Sequence, residues 1–191
     1  RQRELLLDRH RTSRHQVDQV IVMKQDWGES LFLIRDGLAK VRTYTADGEE
    51  VIMSLLGPGD VFGELASLGG HSRSADVVAL TSLELIKMRA ASFTSLLTEE
   101  ALFALALARL EAGRLRDLNQ RFAVQTADAT TRLLDALAYL ARRNSGGVDP
   151  LAEIPPLAQR EVALLAGLAR ETASRTMSKL RNRGTVIEEN G

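Results

Sequence analysis

Acidic, basic and hydroxyl side chains lie close together in the segment from Gly63 to Ala75, GELASLGGHSRSA in one-letter code. Arg73 offers a rigid fork of N–H donors and Ser74 offers a hydroxyl, a combination suited to binding a phosphate. The segment follows the strand-like pair Val61-Phe62, and backbone N–H groups at a strand-to-helix turn point toward anions. The pattern therefore favours an anion-binding turn, although a surface loop holding a Glu–Arg pair would use the same residues.

Glu64 needs a partner other than a phosphate, because two negative charges repel each other. Its carboxylate is suited to accept hydrogen bonds from a sugar hydroxyl or to orient Arg73. The preceding strand-like run supplies a wall formed by Met53, Ser54 and Leu56. Together these features indicate a nucleotide site, with Gly63 and Leu65 beside the ligand. No Gly-Lys-Ser/Thr sequence follows, so the segment is not a Walker loop.

A second pattern with chemical meaning, a helix-turn-helix, is predicted for residues 158–183. Gly167 fits the tight turn, where a side chain would force strain. The buried face of the first helix consists of Val162, Leu164, Leu165 and Leu168. The second helix begins near Arg170 and ends at Gly184, a C-terminal cap residue. Its apolar face is thin and consists of Ala173, Met177 and Leu180.

The second helix carries five basic side chains and one acid, within a chain whose net charge is zero. Cations attract phosphates without reading sequence, whereas Arg170 and Arg175 can each grip guanine and Glu171 can accept from cytosine. An acid on a phosphate-facing helix is unfavourable unless it reads a base, so Glu171 favours specific DNA binding over a solvated basic helix. The predicted DNA-binding residues are Arg170, Glu171, Arg175, Ser174, Lys179 and Gln159.

Composition narrows the classes of function. The 191 residues are 45% hydrophobic and include no cysteine, which excludes disulfides, thiolate metal sites and cysteine nucleophiles. The three histidines, His10, His15 and His71, are too dispersed to suggest a zinc site. No apolar run has the length of a membrane helix and no signal peptide is visible, so we expect a cytoplasmic protein without a membrane partner. Because the chain begins with Arg1, we expect its natural start to lie upstream.

Two regions of different periodicity must position these residues. Between residues 20 and 88, β-type runs alternate with turn residues, and Asp36-Gly37 and Asp47-Gly48 are hairpin signals. This pattern predicts a small barrel or roll. The strand-like runs are Val20–Met23, Leu31–Ile34, Val51–Met53 and Val77–Leu80.

Helix formers dominate residues 99–127, which contain no proline and one glycine. Apolar residues recur there at three- and four-residue steps: Leu107, Leu110, Leu115, Leu118 and Phe122. Such a stripe packs either on its own domain or along a coiled-coil dimer seam, and these residues alone leave both open. Asp128 can cap a further helix, so we place a hinge near residues 125–128.

These motifs, in this order, resemble the family of the cyclic AMP receptor protein (catabolite activator protein) and the FNR regulators. The resemblance covers about residues 18–190 and is carried by DGEEVIMSLL at 47–56, GDVFGEL at 59–65, RSA at 73–75 and GLARETASR at 167–175. Gly-Glu-Leu with Arg-Ser-Ala is typical of the nucleotide-binding branch. Arg-Glu-Thr with a second Arg three residues later is typical of the DNA-reading helix.

The resemblance implies an α+β fold in three parts. These are an N-terminal cyclic-nucleotide-binding β-roll, jelly-roll-like, at 1–98; a long dimerisation helix at 99–127; and a C-terminal winged helix-turn-helix at 128–191. By resemblance, Glu64 would bind the ribose 2′-hydroxyl, Arg73 and Ser74 the cyclic phosphate, and the backbone of Gly63 would lie close by. The allosteric effector would be cyclic AMP or another cyclic nucleotide, and no metal is implied.

The same resemblance favours the dimer seam for the predicted helix. A two-fold homodimer would place its recognition helices about 34 Å apart on a near-palindromic DNA site of the TGTGA type. RNA polymerase would be a further partner, through the loop at residues 146–156.

Two departures from the family pattern matter. Receptors for cyclic AMP carry a Thr-Ser pair on the dimer helix that contacts adenine; the corresponding residues here are Asp117-Leu118 or Leu118-Asn119. Asp117 or Asn119 would bond a base edge, which leaves the choice of purine open. Ala158 stands where Ser or Thr would cap the first helix of the DNA-binding motif, a loss of roughly 1 kcal/mol. The missing cysteines exclude the iron–sulfur branch, and the few histidines argue against a haem branch.

The predicted function is a sequence-specific homodimeric transcription regulator whose DNA affinity is controlled by a cyclic nucleotide. No nucleophile–base pair or metal cluster is recognisable, so the protein is not expected to be an enzyme. One alternative is a ligand-independent DNA-binding regulator, in which Glu64 and Arg73 form a structural tie. Another is a cyclic-nucleotide sensor acting on a partner protein, against which Arg170, Glu171 and Arg175 argue.

Overall fold

The computed structural model describes residues 11–145 and 153–187. Its strands are β1 (Arg11–His15), β2 (Val20–Val22), β3 (Ser30–Asp36), β4 (Ala39–Tyr44), β5 (Glu50–Leu56), β6 (Val61–Phe62), β7 (Asp76–Ala79) and β8 (Leu83–Arg89). Its helices are α1 (Glu64–Gly69), α2 (Ala90–Glu99), α3 (Ala101–Ala123), α4 (Ala129–Asn144), α5 (Gln159–Ala166) and α6 (Arg170–Asn182).

The strands form two antiparallel four-stranded sheets, in the orders β1-β8-β3-β6 and β2-β7-β4-β5. Side chains from both sheets form one core, which includes Val22, Ile34, Ala39, Leu56, Phe62, Val77, Leu83 and Leu85. This arrangement confirms the predicted β-roll. Asp47-Gly48 closes the β4–β5 hairpin as predicted, but the hairpin expected at Asp36-Gly37 is wrong, because β3 and β4 belong to different sheets.

The long helix is shorter than predicted. Instead of residues 99–127, α3 spans Ala101–Ala123 and is preceded by a separate helix, α2, at an angle of 111°. The break falls at Glu100, whose backbone is extended, with φ −124° and ψ 95°. Phe93 of α2 packs edge-to-face on Phe103 of α3 with ring centroids 5.3 Å apart, so tertiary packing holds the bend.

The remaining helices agree with the sequence pattern. Asp128 caps α4, since its carboxylate accepts hydrogen bonds from the N–H groups of Thr130 and Thr131. Helices α5 and α6 form the predicted helix-turn-helix around Gly167. No strand occurs at residues 129–145 or 153–187, so the β-hairpin of a wing is not among the residues described.

The roll and the C-terminal helices share a second core. Its roll members are Leu38, Ile52, Leu55 and Leu80, and its helical members include Leu133, Leu137, Tyr139, Leu140, Val162, Leu165 and Leu180. The N–H of Leu55 also donates to the Tyr139 hydroxyl at 3.2 Å. The roll and helices α4–α6 are therefore packed against one another as one folded body.

Candidate functional site

A cavity of about 310 Å³ lies between the roll and α3. Eight of the predicted ligand residues line it: Met53, Ser54, Leu56, Gly63, Glu64, Leu65, Arg73 and Ser74. Helix α3 contributes Glu111, Arg114, Leu115 and Leu118. The volume falls in the range of small-ligand sites, which begins near ~300 Å³. The cavity thus brings together the phosphate-type, sugar-type and apolar residues expected from the sequence.

Gly63 has no side chain, and this lets Arg73 lie against its backbone in the cavity wall. Its φ is +89°, and an added Cβ would lie 2.6 Å from Arg73 Nη1 and 3.0 Å from the Ser30 carbonyl oxygen. Any side chain here would be strained by the backbone and would also displace Arg73. The absence of a side chain lets Arg73 donate to the Gly63 carbonyl at 2.7 Å and to the Ser30 carbonyl at 2.6 Å.

Arg73 is a fixed cation with hydrogen-bonding capacity to spare. A guanidinium has five N–H donors, of which the two carbonyl contacts use two. The side chain is buried; burial lowers the pKa of Arg73, and the charges of Glu64 and Asp26 oppose that shift. Its backbone is fixed as well, since its N–H donates to the Asp26 carbonyl and its carbonyl accepts from the Gln25 N–H. The remaining donors suit an anionic ligand.

Glu64 is only 4% exposed, and its two carboxylate oxygens differ. Oε1 accepts from Arg114 Nη1 at 3.1 Å, whereas Oε2 is buried with no hydrogen-bond partner within residues 11–145 and 153–187. Burial raises the pKa of Glu64, and the charge of Arg114 works against that rise. A buried acceptor left without a donor is unfavourable, so a ligand hydroxyl at Oε2 would stabilise this arrangement.

Arg114 is a cavity residue that the sequence prediction missed. Besides Glu64, it contacts Glu111 at 2.8 Å and donates to the Val61 carbonyl. Its position one helical turn before Leu118 is the sequence signal that indicates this face of α3. Since Arg114 holds Oε1 of Glu64, Arg73 is not the direct ion-pair partner that the sequence suggested.

Asp117 and Asn119 do not belong to this cavity. Residues 111, 114, 115 and 118 share one face of α3, and a helix turns away from that face at 117 and 119. Asp117 pairs instead with Arg143 of α4, and the Asn119 side chain is exposed. Leu118, one of the positions expected to contact the base, lines the cavity, and the base contact by Asp117 or Asn119 stays a prediction.

The turn between α5 and α6 has a close neighbour from α4. Gly167 has φ +62°, and an added Cβ would lie 2.6 Å from Arg132 Nη2. Arg132 donates from Nε to the Ala166 carbonyl at 3.0 Å and from Nη2 to the Gly167 carbonyl. Glycine is therefore required both for the left-handed backbone and for the packing of Arg132.

Helix α6 presents the predicted base-reading residues to solvent. Arg170, Glu171, Arg175 and Lys179 are exposed, Ser174 is half-buried, and Gln159 is exposed at the start of α5. The face turned to the core contains the predicted Ala173, Met177 and Leu180, of which Met177 is half-buried, and it also buries Thr176. Within the described ranges no ion pair engages Arg170, Glu171, Arg175 or Lys179, which leaves these four side chains available to a partner.

A second group of charges joins the roll to α5; we call Lys40, Glu50, Arg160 and Glu161 the junction cluster, in which the Arg160 side chain is exposed and the other three are poorly exposed. Lys40 is 2% exposed, and its ammonium lies 2.6 Å from Glu50 Oε1 and 2.5 Å from Glu161 Oε2. Arg160 lies 3.0 Å from Glu50 Oε2. Burial raises the pKa of Glu50, but the hydrogen bond and charge of Lys40, with the charges of Arg42 and Arg160, outweigh it and hold that pKa below its usual value.

The described residues show neither a metal-binding cluster nor a membrane-spanning helix. Among residues 11–145 and 153–187, no group of three or more His, Cys, Asp or Glu side chains is arranged to hold a metal ion. In the same residues no single helix is long and apolar enough to span a membrane; α2 and α3 reach that length and composition only as a pair bent by 111°.

Both parts of the chain match known families. Residues 13–100 match the model of the cyclic nucleotide-binding domain, and residues 131–191 match that of the Crp-like helix-turn-helix domain. The cyclic AMP receptor protein of Thermus thermophilus is 34% identical over 167 residues, which cover 87% of this chain and 74% of that protein.

Solved structures show the same fold. FixK2 from Bradyrhizobium japonicum superimposes with a TM-score of 0.80 at 22% identity, covering 95% of this chain and 89% of that one. The Thermus thermophilus catabolite activator protein gives a TM-score of 0.54 at 31% identity, covering 98% and 86%.

A ligand cavity in a β-roll, joined to a helix-turn-helix with exposed charges, defines a ligand-binding transcription regulator. The chain belongs to the family of the cyclic AMP receptor protein and the FNR regulators. Members of this family are DNA-binding transcription regulators and not enzymes, as the sequence predicted.

Proposed function

We propose that this protein is a homodimeric transcription regulator whose affinity for a specific DNA site is controlled by cyclic AMP. The observation that carries the ligand is the unpartnered Oε2 of Glu64, in a cavity that also contains the spare donors of Arg73. The ribose 2′-hydroxyl would donate to Glu64, and the cyclic phosphate would accept from Arg73 and Ser74. The purine would pack against Met53, Leu115 and Leu118.

The dimer is supported by the surface of α3. None of its 23 residues is buried, and it exposes the large apolar side chains Leu102, Leu105, Leu115, Leu118 and Phe122. Two of these, Leu102 and Phe122, are 80% and 73% exposed. A two-fold pairing through residues 99–127 would cover this stripe, as the seam of a coiled coil does.

DNA would be read by α6. Arg170 and Arg175 would contact guanines and Glu171 a cytosine of a near-palindromic TGTGA-type site, while Lys179, Ser174 and Gln159 would complete the interface. The division into 1–98, 99–127 and 128–191, the cytoplasmic location and the contact with RNA polymerase remain part of this proposal. The polymerase-facing loop, 146–156, lies largely outside the described residues.

Control by ligand requires two placements of the DNA-binding helices with different ligand affinity.

The test is titration of the intact protein with cyclic AMP and with cyclic GMP, followed by DNA binding in each state. We expect cyclic AMP to bind and to raise affinity for a duplex that carries the near-palindromic TGTGA-type site by about 10-fold or more. Emission of the single tryptophan, Trp27, gives a second readout, because the neighbouring Gly28 packs against Arg73. Failure of both nucleotides to bind would overturn the ligand assignment. Equal DNA affinity with and without bound nucleotide would favour the ligand-independent regulator.

The DNA assignment has its own test. Glu171→Ala is expected to relax base preference at one position of each half-site, by about 1–3 kcal/mol. Lys179→Ala is the matched control, expected to weaken binding evenly across sequences. If Glu171→Ala leaves selectivity unchanged, the sensor that acts on a partner protein becomes the better reading.

A further inference from the structure

A line of ion pairs runs from the ligand cavity to the C-terminal helices. We propose that this line, Glu64–Arg114–Asp60–Arg143, transmits occupancy of the cavity to the DNA-binding part, with Arg143 as the positioning residue at its far end. The proposal deepens the proposed function and rests on a ligand that contacts Glu64. We call these four residues the ion-pair line.

The first link connects the cavity carboxylate to α3. Arg114 Nη1 lies 3.1 Å from Glu64 Oε1, and its other nitrogen, Nη2, lies 3.7 Å from Asp60 Oδ1. The Arg114 side chain is 14% exposed, and those of its two partners are 5% and 9% exposed. Arg114 also pairs with Glu111 at 2.8 Å, so one guanidinium divides its charge among two acids of the cavity and one acid outside it.

The second link is Asp60, at the turn that precedes β6. Its Oδ2 accepts from the Gly57 N–H at 2.8 Å and lies 3.1 Å from Arg143 Nη1. Asp60 therefore lies between two guanidinium groups, one from α3 and one from α4. A change in the contact between Asp60 and Arg114 therefore alters the ion pair between Asp60 and Arg143.

The third link is Arg143, near the end of α4. Its Nη2 pairs with Asp117 of α3, and its guanidinium lies 5.4 Å from the centre of the Tyr139 ring. Its backbone is equally close to the roll, because a Cβ on Gly57 would lie 2.1 Å from the Arg143 carbonyl oxygen. Arg143 is thus the point at which the roll, α3 and the first C-terminal helix meet. This contact also gives Asp117 a structural role.

Ligand binding changes the charges at one end of this line. The ribose hydroxyl donates a hydrogen bond to Glu64, and the phosphate adds a negative charge nearby. Both changes alter the strength of the ion pair between Glu64 and Arg114. Because these groups are poorly exposed, their mutual interactions are strong and each contact depends on its neighbours. The Asp60 carboxylate then shifts its ion pairing between Arg114 and Arg143. As a result, the contact of α4 with residues 57–60 tightens or opens.

The experiment measures coupling in Arg143→Gln, with Arg142→Gln as the matched control. Arg142 lies next to it and also contacts the Tyr139 ring, at 5.9 Å, but has no ion-pair partner in the described ranges. We determine cyclic AMP affinity with and without DNA, and DNA affinity with and without cyclic AMP, which must give the same coupling factor. We expect Arg143→Gln to bind cyclic AMP within about threefold of wild type and to lose about fivefold or more of the coupling factor. Arg142→Gln should keep it.

Each outcome separates this proposal from the one on which it rests. Wild-type coupling in Arg143→Gln overturns the ion-pair line and leaves the ligand assignment standing. Wild-type protein that binds neither cyclic AMP nor cyclic GMP overturns both. If thermal unfolding shows that Arg143→Gln is not folded, Arg143→Lys decides, because lysine keeps the charge but lacks the fork that bridges Asp60 and Asp117. Reduced coupling in Arg143→Lys supports the line, and wild-type coupling overturns it.

Discussion

The cavity and the junction cluster both bury acids beside bases, but their buried carboxylate oxygens are compensated differently. In the junction cluster, both carboxylate oxygens of Glu50 lie within 3.5 Å of a cation, and Lys40 lies between two acids. Glu50 Oε1 and Glu64 Oε2 are both buried without a hydrogen-bond partner in the described structure, but Glu50 Oε1 lies 2.6 Å from the Lys40 ammonium, whereas the ion pair of Glu64 with Arg114 is made by Oε1. The same difference is seen in the pKa values: that of Glu50 is lowered and that of Glu64 is raised.

This contrast shows what identifies a binding site. A larger cavity, about 570 Å³, lies beside the junction cluster and is lined by Lys40, Glu50 and Glu161. Cavity volume and buried charge alone would therefore select the junction. The raised pKa of Glu64 and the spare donors of Arg73 select the smaller cavity, because there a ligand can supply a donor to Glu64 Oε2 and accept from Arg73. The junction cluster is instead a structural tie between the roll and α5.

The largest effect is expected from Lys40→Met. Removing the ammonium leaves Glu50 and Glu161 facing each other in a buried site, which destabilises the fold by about 3 kcal/mol or more. Chemical denaturation measures this loss. Lys24→Met is the control, since Lys24 is exposed and, in the part of the chain that the structure describes, its ammonium donates only to the Thr43 hydroxyl. The stability of Lys24→Met should match wild type. A small loss in Lys40→Met would mean that the junction is not a tie.

The opposite behaviour is expected from Glu64→Gln. Affinity for cyclic AMP should fall about 10- to 100-fold, because the ligand hydroxyl loses a charged acceptor worth roughly 1.5–3 kcal/mol. Stability should change little, since burial already disfavours the Glu64 carboxylate, as its raised pKa indicates. Calorimetric titration and denaturation of the same preparation separate the two quantities. Glu111→Gln changes a neighbouring acid on α3 and should retain most of the affinity.

The two acids should give pH dependences of opposite sign. The pKa of Glu50 is lowered in the folded protein, so its stabilising effect is present above the unfolded value of 4.5 and is lost as the pH falls through the folded pKa. The pKa of Glu64 is raised, so its destabilising effect is present above the folded pKa and disappears as the pH falls through it toward 4.5.

Unfolding free energies of Glu50→Gln and Glu64→Gln, each compared with wild type across this range, test those signs. The deficit of Glu50→Gln should shrink on acidification. For Glu64→Gln, any gain in unfolding free energy over wild type should also shrink as the pH falls. If the difference in unfolding free energy from wild type changed with pH in the same way for both variants, the opposite pKa directions of Glu50 and Glu64 would be contradicted.

The smallest effect concerns the helix that the junction cluster holds. Ala158 is the N-cap of α5, with extended-type backbone angles and no side-chain hydrogen bond to the helix. Ala158→Ser should stabilise the protein by about 1 kcal/mol, because the hydroxyl can accept from a free N–H in the first turn. Thermal unfolding measures the gain. No gain would indicate that the tie to Lys40 already fixes this end of α5.

Local signals made much of the fold predictable. Each of these signals is a conformational preference that acts within a few residues: a turn at Asp-Gly before a strand, a helix cap at Asp128 and a left-handed backbone at Gly167. Strand β1 was missed because Arg11–His15 is mainly polar and has no alternating apolar pattern. The break at Glu100 was missed because helix formers stand on both sides, and the packing of Phe93 on Phe103 overrides their propensity.

The residues that the roll contributes to the site were predictable from the sequence, and those that the helices contribute were not. The turn that carries Glu64 and Arg73 is a short, continuous segment, so its residues were found together. Arg114 contacts Glu64 across 50 residues, Arg143 contacts Asp60 across 83, and Lys40 contacts Glu161 across 121. In sequence each of these resembles any other surface charge, and only the tertiary fold selects its partner.

The core shared by the roll and helices α4–α6 has a consequence for how such regulators diversify. Leu38, Leu55 and Leu80 of the roll are at most 4% exposed and pack in one cluster with Leu133 and Leu140 of α4. A chimera that grafts a foreign DNA-reading unit onto this roll would leave those leucines in water unless the new unit carried a matching apolar face. New DNA specificity in this lineage is therefore expected to arise by substitution on the outer face of α6, where side chains change without disturbing the core.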